Sequence, residues 1–279
     1  MNMINVGVCV ELFESTDLSE KLDTIKAAGF KYVELVVWDM DKLTVDYAKS
    51  TKAELDKRGL TCTEVWCGWL RPAVWDFKYG PSVLGLVPPE YRVARMLNML
   101  AGGVFAEALG VDKVVTHVGF IPLNPADPNY VGLIATLKHI ASEYQKRGVS
   151  LLFETGQEPP VVALRTIEDI GMPNVGINLD PANLLMYGNG NPIDAVTMLA
   201  PYIKSVHAKD GEYPTSGHEL GVEKPIGQGS VNFERFLERL VKVGFDGTIS
   251  IEHEMGGTSP EQRMKEITDA RDYLVSLIG

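Results

Sequence analysis

At 279 residues, with 45% hydrophobic and 23% charged side chains, the chain has the size and composition of one large soluble domain or two small ones, and no apolar run reaches the roughly 18 residues of a membrane span. Its 37 acidic against 26 basic residues leave a net charge of −11, which argues against a protein that grips nucleic acid through its phosphates. Three cysteines without finger spacing (Cys9, Cys62, Cys67), and an N-terminus interrupted early by an acidic residue, point to reduced thiols in a cytoplasm rather than to a disulfide framework or a secretory leader.

Short β-branched runs alternate with longer amphipathic stretches along the whole chain. Strands are predicted at 6–10, 32–37, 61–67, 113–117, 150–154, 175–180, 204–208 and 248–252. Helices are predicted at 18–28, 45–57, 91–109, 130–147, 161–170, 193–200, 233–243 and 260–277. Several helices run into a glycine suited to a left-handed cap and then directly into a strand, as in AAGFKYVEL, KRGLTCTEV and ALGVDKVV. Eight such alternations predict an α/β protein, a single (β/α)₈ TIM barrel spanning 1–279. The alternative, an open doubly wound sheet, usually carries a glycine-rich turn after its first strand, where this chain reads VELFEST. The one long irregular insertion, WLRPAVWDFKYGPSVLGLVPP at 69–89, follows the third strand. It is expected to cover the active site, with an aromatic cluster packed on the rim as the alternative.

Strand side chains alternate between faces, and the outer face of a barrel meets helices, so the inward residues follow by elimination. In SLLFE, Leu151 and Phe153 point out and Ser150, Leu152 and Glu154 point in. The same reading puts Gly176, Asn178 and Asp180 inside from VGINLD, Ser205 and His207 from KSVHA, and Thr248, Ser250 and Glu252 from TISIE. Strands five to eight therefore each end in an inward ionisable residue: Glu154, Asp180, His207 and Glu252. Barrel enzymes build their sites at this carboxyl end. Three carboxylates and an imidazole without compensation repel one another and carry a large desolvation cost. One divalent cation resolves this, and three oxygens with one nitrogen suit Mn²⁺ first, with Mg²⁺, Co²⁺ or Zn²⁺ as alternatives.

These stretches resemble the xylose isomerase-like TIM-barrel superfamily, which includes ketose 3-epimerases, hydroxypyruvate and inosose isomerases, inosose dehydratases and type-IV apurinic endonucleases. The likeness runs through GFKYVEL (29–35), THVGF (116–120), LLFETGQE (151–158), GINLDPANLL (176–185), SVHAKDG (205–211), PIGQGSVNFERFLERL (225–240) and GFDGTISIEHE (244–254). For the epimerase and isomerase branches it implies one divalent metal on Glu154, Asp180, His207 and Glu252, with the two glutamates as an acid/base pair on opposite faces of the sugar. Glu158 is the counterpart implied for a second pocket glutamate. The chain departs from the endonuclease branch: Asn183 stands in DPAN where that branch has a histidine, and EVWCG at the third strand's end offers none. A three-metal DNA-repair site is therefore not expected.

The chemistry this predicts is proton transfer next to the carbonyl of a keto sugar or related polyol, through an enediolate, giving epimerisation or aldose–ketose isomerisation. Loss of a β-hydroxyl would instead make the protein a dehydratase of a cyclic polyol ketone. The expected partner is a small sugar or polyol, with no nucleic acid and no membrane; a dimer or tetramer is compatible with the sequence. Substrate contacts are expected from His117, Glu158, Asn183, Lys209 and Asp210, the last also as an orienter of His207 or as a plain turn residue before Gly211. Glu34 is expected to hydrogen-bond inside the barrel, His253 to be structural, and His139 and His218 to be solvated. Trp38, Trp66 and Trp69 could stack on a sugar or pack in the core, and GQGSVN (227–232) reads as a turn into a helix capped by Ser230 or Asn232.

Overall fold

Eight parallel strands follow one another around a closed barrel: Asn5–Leu12, Tyr32–Val37, Thr61–Cys67, Lys113–Thr116, Ser150–Glu154, Val175–Leu179, Ile203–Ala208 and Thr248–Ile251. The first and eighth zip together from Asn5 opposite Thr248 to Val8 opposite Ile251, which closes the ring and excludes the open sheet. This computed structural model describes residues 4–279. Leu151, Phe153, Ile177, Val206 and Ile249 lie in the large apolar cluster between barrel and helices, while Asn178, Ser205 and Ser250 are buried within. Among the described residues no helix is long and apolar enough to cross a membrane.

Local chemistry sets the element ends. Gly59 and Gly110 take left-handed φ angles of 61° and 84° at helix C-termini, a conformation open to glycine without a Cβ clash. Helices begin at Pro89, Pro128, Pro160 and Pro192, one or two residues ahead of the predicted starts, because a proline ring pre-sets the helical φ where no N–H is needed. The fourth, sixth and eighth strands stop one residue earlier than predicted, so His117, Asp180 and Glu252 stand just beyond the ladder. Elements absent from the sequence reading include the short helices Gly80–Val83 and Pro181–Met186, and a ribbon pairing Asp210–Gly211 with Glu223–Lys224.

The insertion after the third strand is anchored from below by one residue of helix Pro89–Leu109. Arg95 is fully buried, and among the described residues it has no carboxylate partner. Its Nε donates to Leu70 O at 3.1 Å, Nη1 to Val83 O and Gly85 O at 2.6 Å each, and Nη2 to Pro72 O at 2.6 Å. The guanidinium also lies over the rings of Tyr91 and Trp69, and burial lowers its pKa to about 10. Leaving a buried acceptor unpaired costs about 1–3 kcal/mol. Arg95→Met, which keeps the stem and orphans four carbonyls, is therefore expected to lower stability by about 3 kcal/mol or more in urea unfolding; an unchanged midpoint would remove Arg95 as the anchor.

Candidate functional site

The ends of strands five to eight converge on His207. Its Nε2 lies 3.1 Å from both oxygens of Glu34, so that side of the ring faces an acceptor and carries the proton. Nδ1 faces Glu154 Oε1 at 3.2 Å, Glu252 Oε2 at 3.5 Å and Asp180 Oδ2 at 4.0 Å. One ligand atom from each of Glu154, Asp180, His207 and Glu252 lies within 4.8 Å of the others. A carboxylate behind a ligating histidine is a recurrent support for metal ligands, and Glu34 occupies that place.

The three carboxylates are oriented differently. Glu154 Oε1 accepts from Asn183 Nδ2 at 3.1 Å, and Oε2 receives the Trp66 indole N–H and lies 3.3 Å from His117 Nε2. Asp180 caps helix Pro181–Met186, its Oδ1 accepting from Asn183 N at 2.8 Å, while its buried Oδ2 has no hydrogen-bond partner among the described residues. Glu252 accepts from Lys209 Nζ at 3.0 Å, and the same ammonium pairs with Glu254.

Charge is out of balance in this cluster. Burial pushes Glu154 and Glu252 up, but the imidazoles of His117 and His207 hold Glu154 below the usual carboxylate range, and Lys209 with His207 holds Glu252 well below it. Asp180 receives the residue of the conflict: burial, with Glu252 and Glu154 nearby, drives its carboxyl well above the usual range. Burial pulls His207 down, yet Glu34, Glu252 and Glu154 outweigh it and raise the imidazole well above its ordinary value. A buried, unpaired carboxylate oxygen beside an imidazole nitrogen and two further carboxylates is a donor set that fits a hard divalent cation, which would take the place of the Nδ1 proton.

A cavity of about 250 Å³ opens over the cluster, lined by His117, Asn183, Lys209 and Glu252 among others. Lys209 is buried. Two of the expected contacts lie outside this lining. Asp210 does not line the cavity: its carboxylate accepts backbone N–H groups from Gly211, Gly227, Gly229 and Val231, at 2.9 to 3.1 Å, which fixes the 227–231 turn rather than His207 or a substrate hydroxyl. Glu158 is also absent from the lining; it is buried, and burial with Glu154 nearby pushes its carboxyl well above the usual range. Of the two caps proposed for the following helix, Asn232 holds the place, accepting from Arg235 N at 3.2 Å. His139 and His218 are exposed, and His253 Nε2 pairs with Glu266 at 2.6 Å.

Trp38, Trp66 and Trp75 face the cavity, and Trp69 packs behind them without reaching it. Cys9 and Glu11 also line it, with Cys9 Sγ 4.0 Å from His207 Nε2. Alternation in VGVCVEL puts Gly7, Cys9 and Glu11 inside, so the face reading used for strands five to eight contains these two as well. Burial and Glu34 raise the Cys9 thiol well above its ordinary value, which keeps it protonated and a poor ligand. Removing the acceptor for four N–H groups, of which those of Gly211 and Val231 are buried, is expected to be costly, so Asp210→Ala should lose on the order of 3 kcal/mol in urea unfolding. A loss of a few tenths would mean that the turn is held by other contacts.

Comparison with known proteins follows from this geometry. Residues 22–276 match the family model described as xylose isomerase-like TIM barrel. The uncharacterised protein MJ1311 of Methanocaldococcus jannaschii is 32% identical over 162 residues, 52% of this chain and 52% of that protein, so the match spans about half of that relative's length. A candidate hydroxypyruvate isomerase of Streptomyces coelicolor is 27% identical over 274 residues, 90% of each chain. The crystal structure of a xylose isomerase domain protein from Planctomyces limnophilus has a TM-score of 0.92 at 30% identity, covering 99% of this chain and 97% of that one. A D-psicose 3-epimerase solved with D-fructose has a TM-score of 0.72 at 13% identity over 99% and 100% of the two chains, a likeness of fold alone. The barrel topology and the matches at family level agree: the chain belongs to the xylose isomerase-like TIM-barrel family.

Proposed function

We propose that the protein is a divalent-metal-dependent isomerase or epimerase that moves a proton on the carbon next to the carbonyl of a keto sugar or related polyol. The observation that carries this reading is the unpartnered Asp180 Oδ2 within reach of His207 Nδ1, flanked by the ionised carboxylates of Glu154 and Glu252. Glu154, Asp180, His207 and Glu252 would hold the metal, Mn²⁺ first and Mg²⁺, Co²⁺ or Zn²⁺ as alternatives. Bound there, it would supply positive charge to offset the three carboxylates and to stabilise negative charge developing on a substrate oxygen.

The chain's own residues then divide the proton work. Glu154 is held ionised by the imidazoles of His117 and His207 and aimed by the Trp66 and Asn183 N–H groups, so it is a base of fixed direction. Glu252 is held ionised by Lys209, whose ammonium can also meet a substrate hydroxyl. One glutamate removes the proton; return by the other from the opposite face inverts the centre, whereas return by the same one to the adjacent carbon gives isomerisation. His117, beside Glu154 and against the Trp75 ring at 5.1 Å, and Asn183 are placed to contact the sugar. The kinship with a candidate hydroxypyruvate isomerase supports this class of reaction.

Elemental analysis is expected to find about one Mn, Mg, Co or Zn per chain, lost in folded Asp180→Ala and His207→Ala variants. No metal after reconstitution with excess Mn²⁺ and Co²⁺ would overturn the reading, and three zinc ions would favour a nuclease. With the metal-loaded protein in D₂O, NMR should show deuterium entering a ketose or cyclic keto polyol at the carbon next to the carbonyl. Glu154→Gln and Glu252→Gln should each slow that exchange by about 10² to 10⁴-fold. New ultraviolet absorbance with release of water would mark a dehydratase instead.

A further inference from the structure

Two cavities adjoin at the barrel mouth. One is the cavity of about 250 Å³ over the cluster; the other, about 390 Å³, is lined by residues of helices Leu18–Ala27 and Pro260–Ile278. Cys9, Glu11 and Arg263 line both. Arg263 spans the boundary between them: its Nη2 donates to Glu11 Oε2 at 3.3 Å and to the backbone oxygen of His253 at 2.6 Å. Both members of that ion pair are partly exposed, and such pairs are held by little free energy, so a ligand can part them.

The second compartment is apolar where it is deep and balanced in charge at its rim. Val10, Ile25 and Ile267 are buried in its wall. Lys21 and Arg263 are matched there by Glu11 and Glu20, and Lys21 Nζ already donates to Glu11 O at 2.9 Å. No surplus positive charge remains to hold a phosphate or carboxylate. At about 390 Å³ the second compartment is itself within the range, about 300 to 1,000 Å³, of pockets that enclose a small molecule.

We infer that the two cavities form one substrate site: a sugar ring meets the metal cluster, and an apolar group bonded to it passes the Glu11–Arg263 partition into the second compartment. The substrate class is then a neutral keto sugar carrying an apolar aglycone. An aglycone on the anomeric oxygen ties up that carbon, so the reacting carbonyl of such a substrate stands at another ring carbon. The inference rests on the proposed reading of the cluster as the reacting centre.

The test is calorimetric titration of the Mn²⁺-loaded protein with phenyl and methyl β-D-glucopyranoside, which share a ring and differ in aglycone. Burying a phenyl group predicts a Kd about tenfold or more lower for the phenyl compound. Thr24→Trp, at an exposed position of its helix, and Thr258→Trp, from the facing segment, fill the compartment and should bring the ratio of the two Kd values to within about twofold. A ratio near one in the wild type, a ratio unchanged in both variants, or failure to bind either glucoside overturns the shared site. Deuterium exchange separates this from the reaction itself. A protein that prefers the phenyl glucoside yet exchanges no substrate refutes the proposed reaction and leaves the compartment standing; one that exchanges a free ketose without that preference does the reverse.

Discussion

Buried negative charge in excess of its local compensation is the constraint around which the barrel mouth is built. Four carboxylates, from Glu34, Glu154, Asp180 and Glu252, crowd one imidazole, and Lys209 is the buried ammonium beside them. Each carboxylate that ionises raises the cost for the next: the nearby imidazoles and Lys209 hold Glu154 and Glu252 down, and Asp180 is driven up. The neighbouring structure answers this field by turning polar hydrogens inward: an indole, an amide and a helix N-terminus all point at the carboxylates. Asp180 Oδ2 receives none of them. The positions a cation would fill are thus the ones left bare by an otherwise well-served cluster.

The mouth has two unlike halves. Strands five to eight carry the charged ends, whereas Val36, Trp66, Trp69, Leu84, Val115 and Leu152 form a separate apolar cluster against strands two to five. Trp38 joins the tryptophans, with ring centroids 4.9 Å from Trp66 and 6.4 Å from Trp75. A sugar is itself two-sided, with hydroxyls around its edge and C–H groups on its faces, and aromatic rings suit the latter. Glu154 stands on the seam, held from the apolar half by Trp66 and from the ionic half by Asn183.

Much of this is written locally in the chain. The alternation in SLLFE, VGINLD, KSVHA and TISIE gives both the barrel strands and the faces of Glu154, Asp180, His207 and Glu252, because the side-chain period of a strand is two wherever one face is dry. Helix ends are legible for the same reason, since proline and glycine act on their own φ angles. What could not be read are partnerships across distance. Arg95 looks like any helix arginine until the loop folds over it, and the Glu11–Arg263 pair joins residues 252 apart. Asp210 misled because its side chain answers to a turn seventeen to twenty-one residues downstream rather than to its strand neighbour. The resemblance that suggested Glu158 fixes residues in order, not the loop path between them.

The anchorage of the insertion at 69–89 has a consequence of its own. Arg95 grips carbonyl oxygens of Leu70, Pro72, Val83 and Gly85, atoms that every amino acid provides. These bonds follow the path of the backbone and not the side chains they hold, except at Gly85, where a Cβ would collide with Val118 O, and at Trp69, whose ring lies under the guanidinium. Other side chains along the segment, including Trp75 at the cavity wall, are free to diverge or be redesigned while the loop stays in place. One buried cation thereby separates the shape of the roof from its surface chemistry, the kind of division that lets a single barrel be refitted for different ligands.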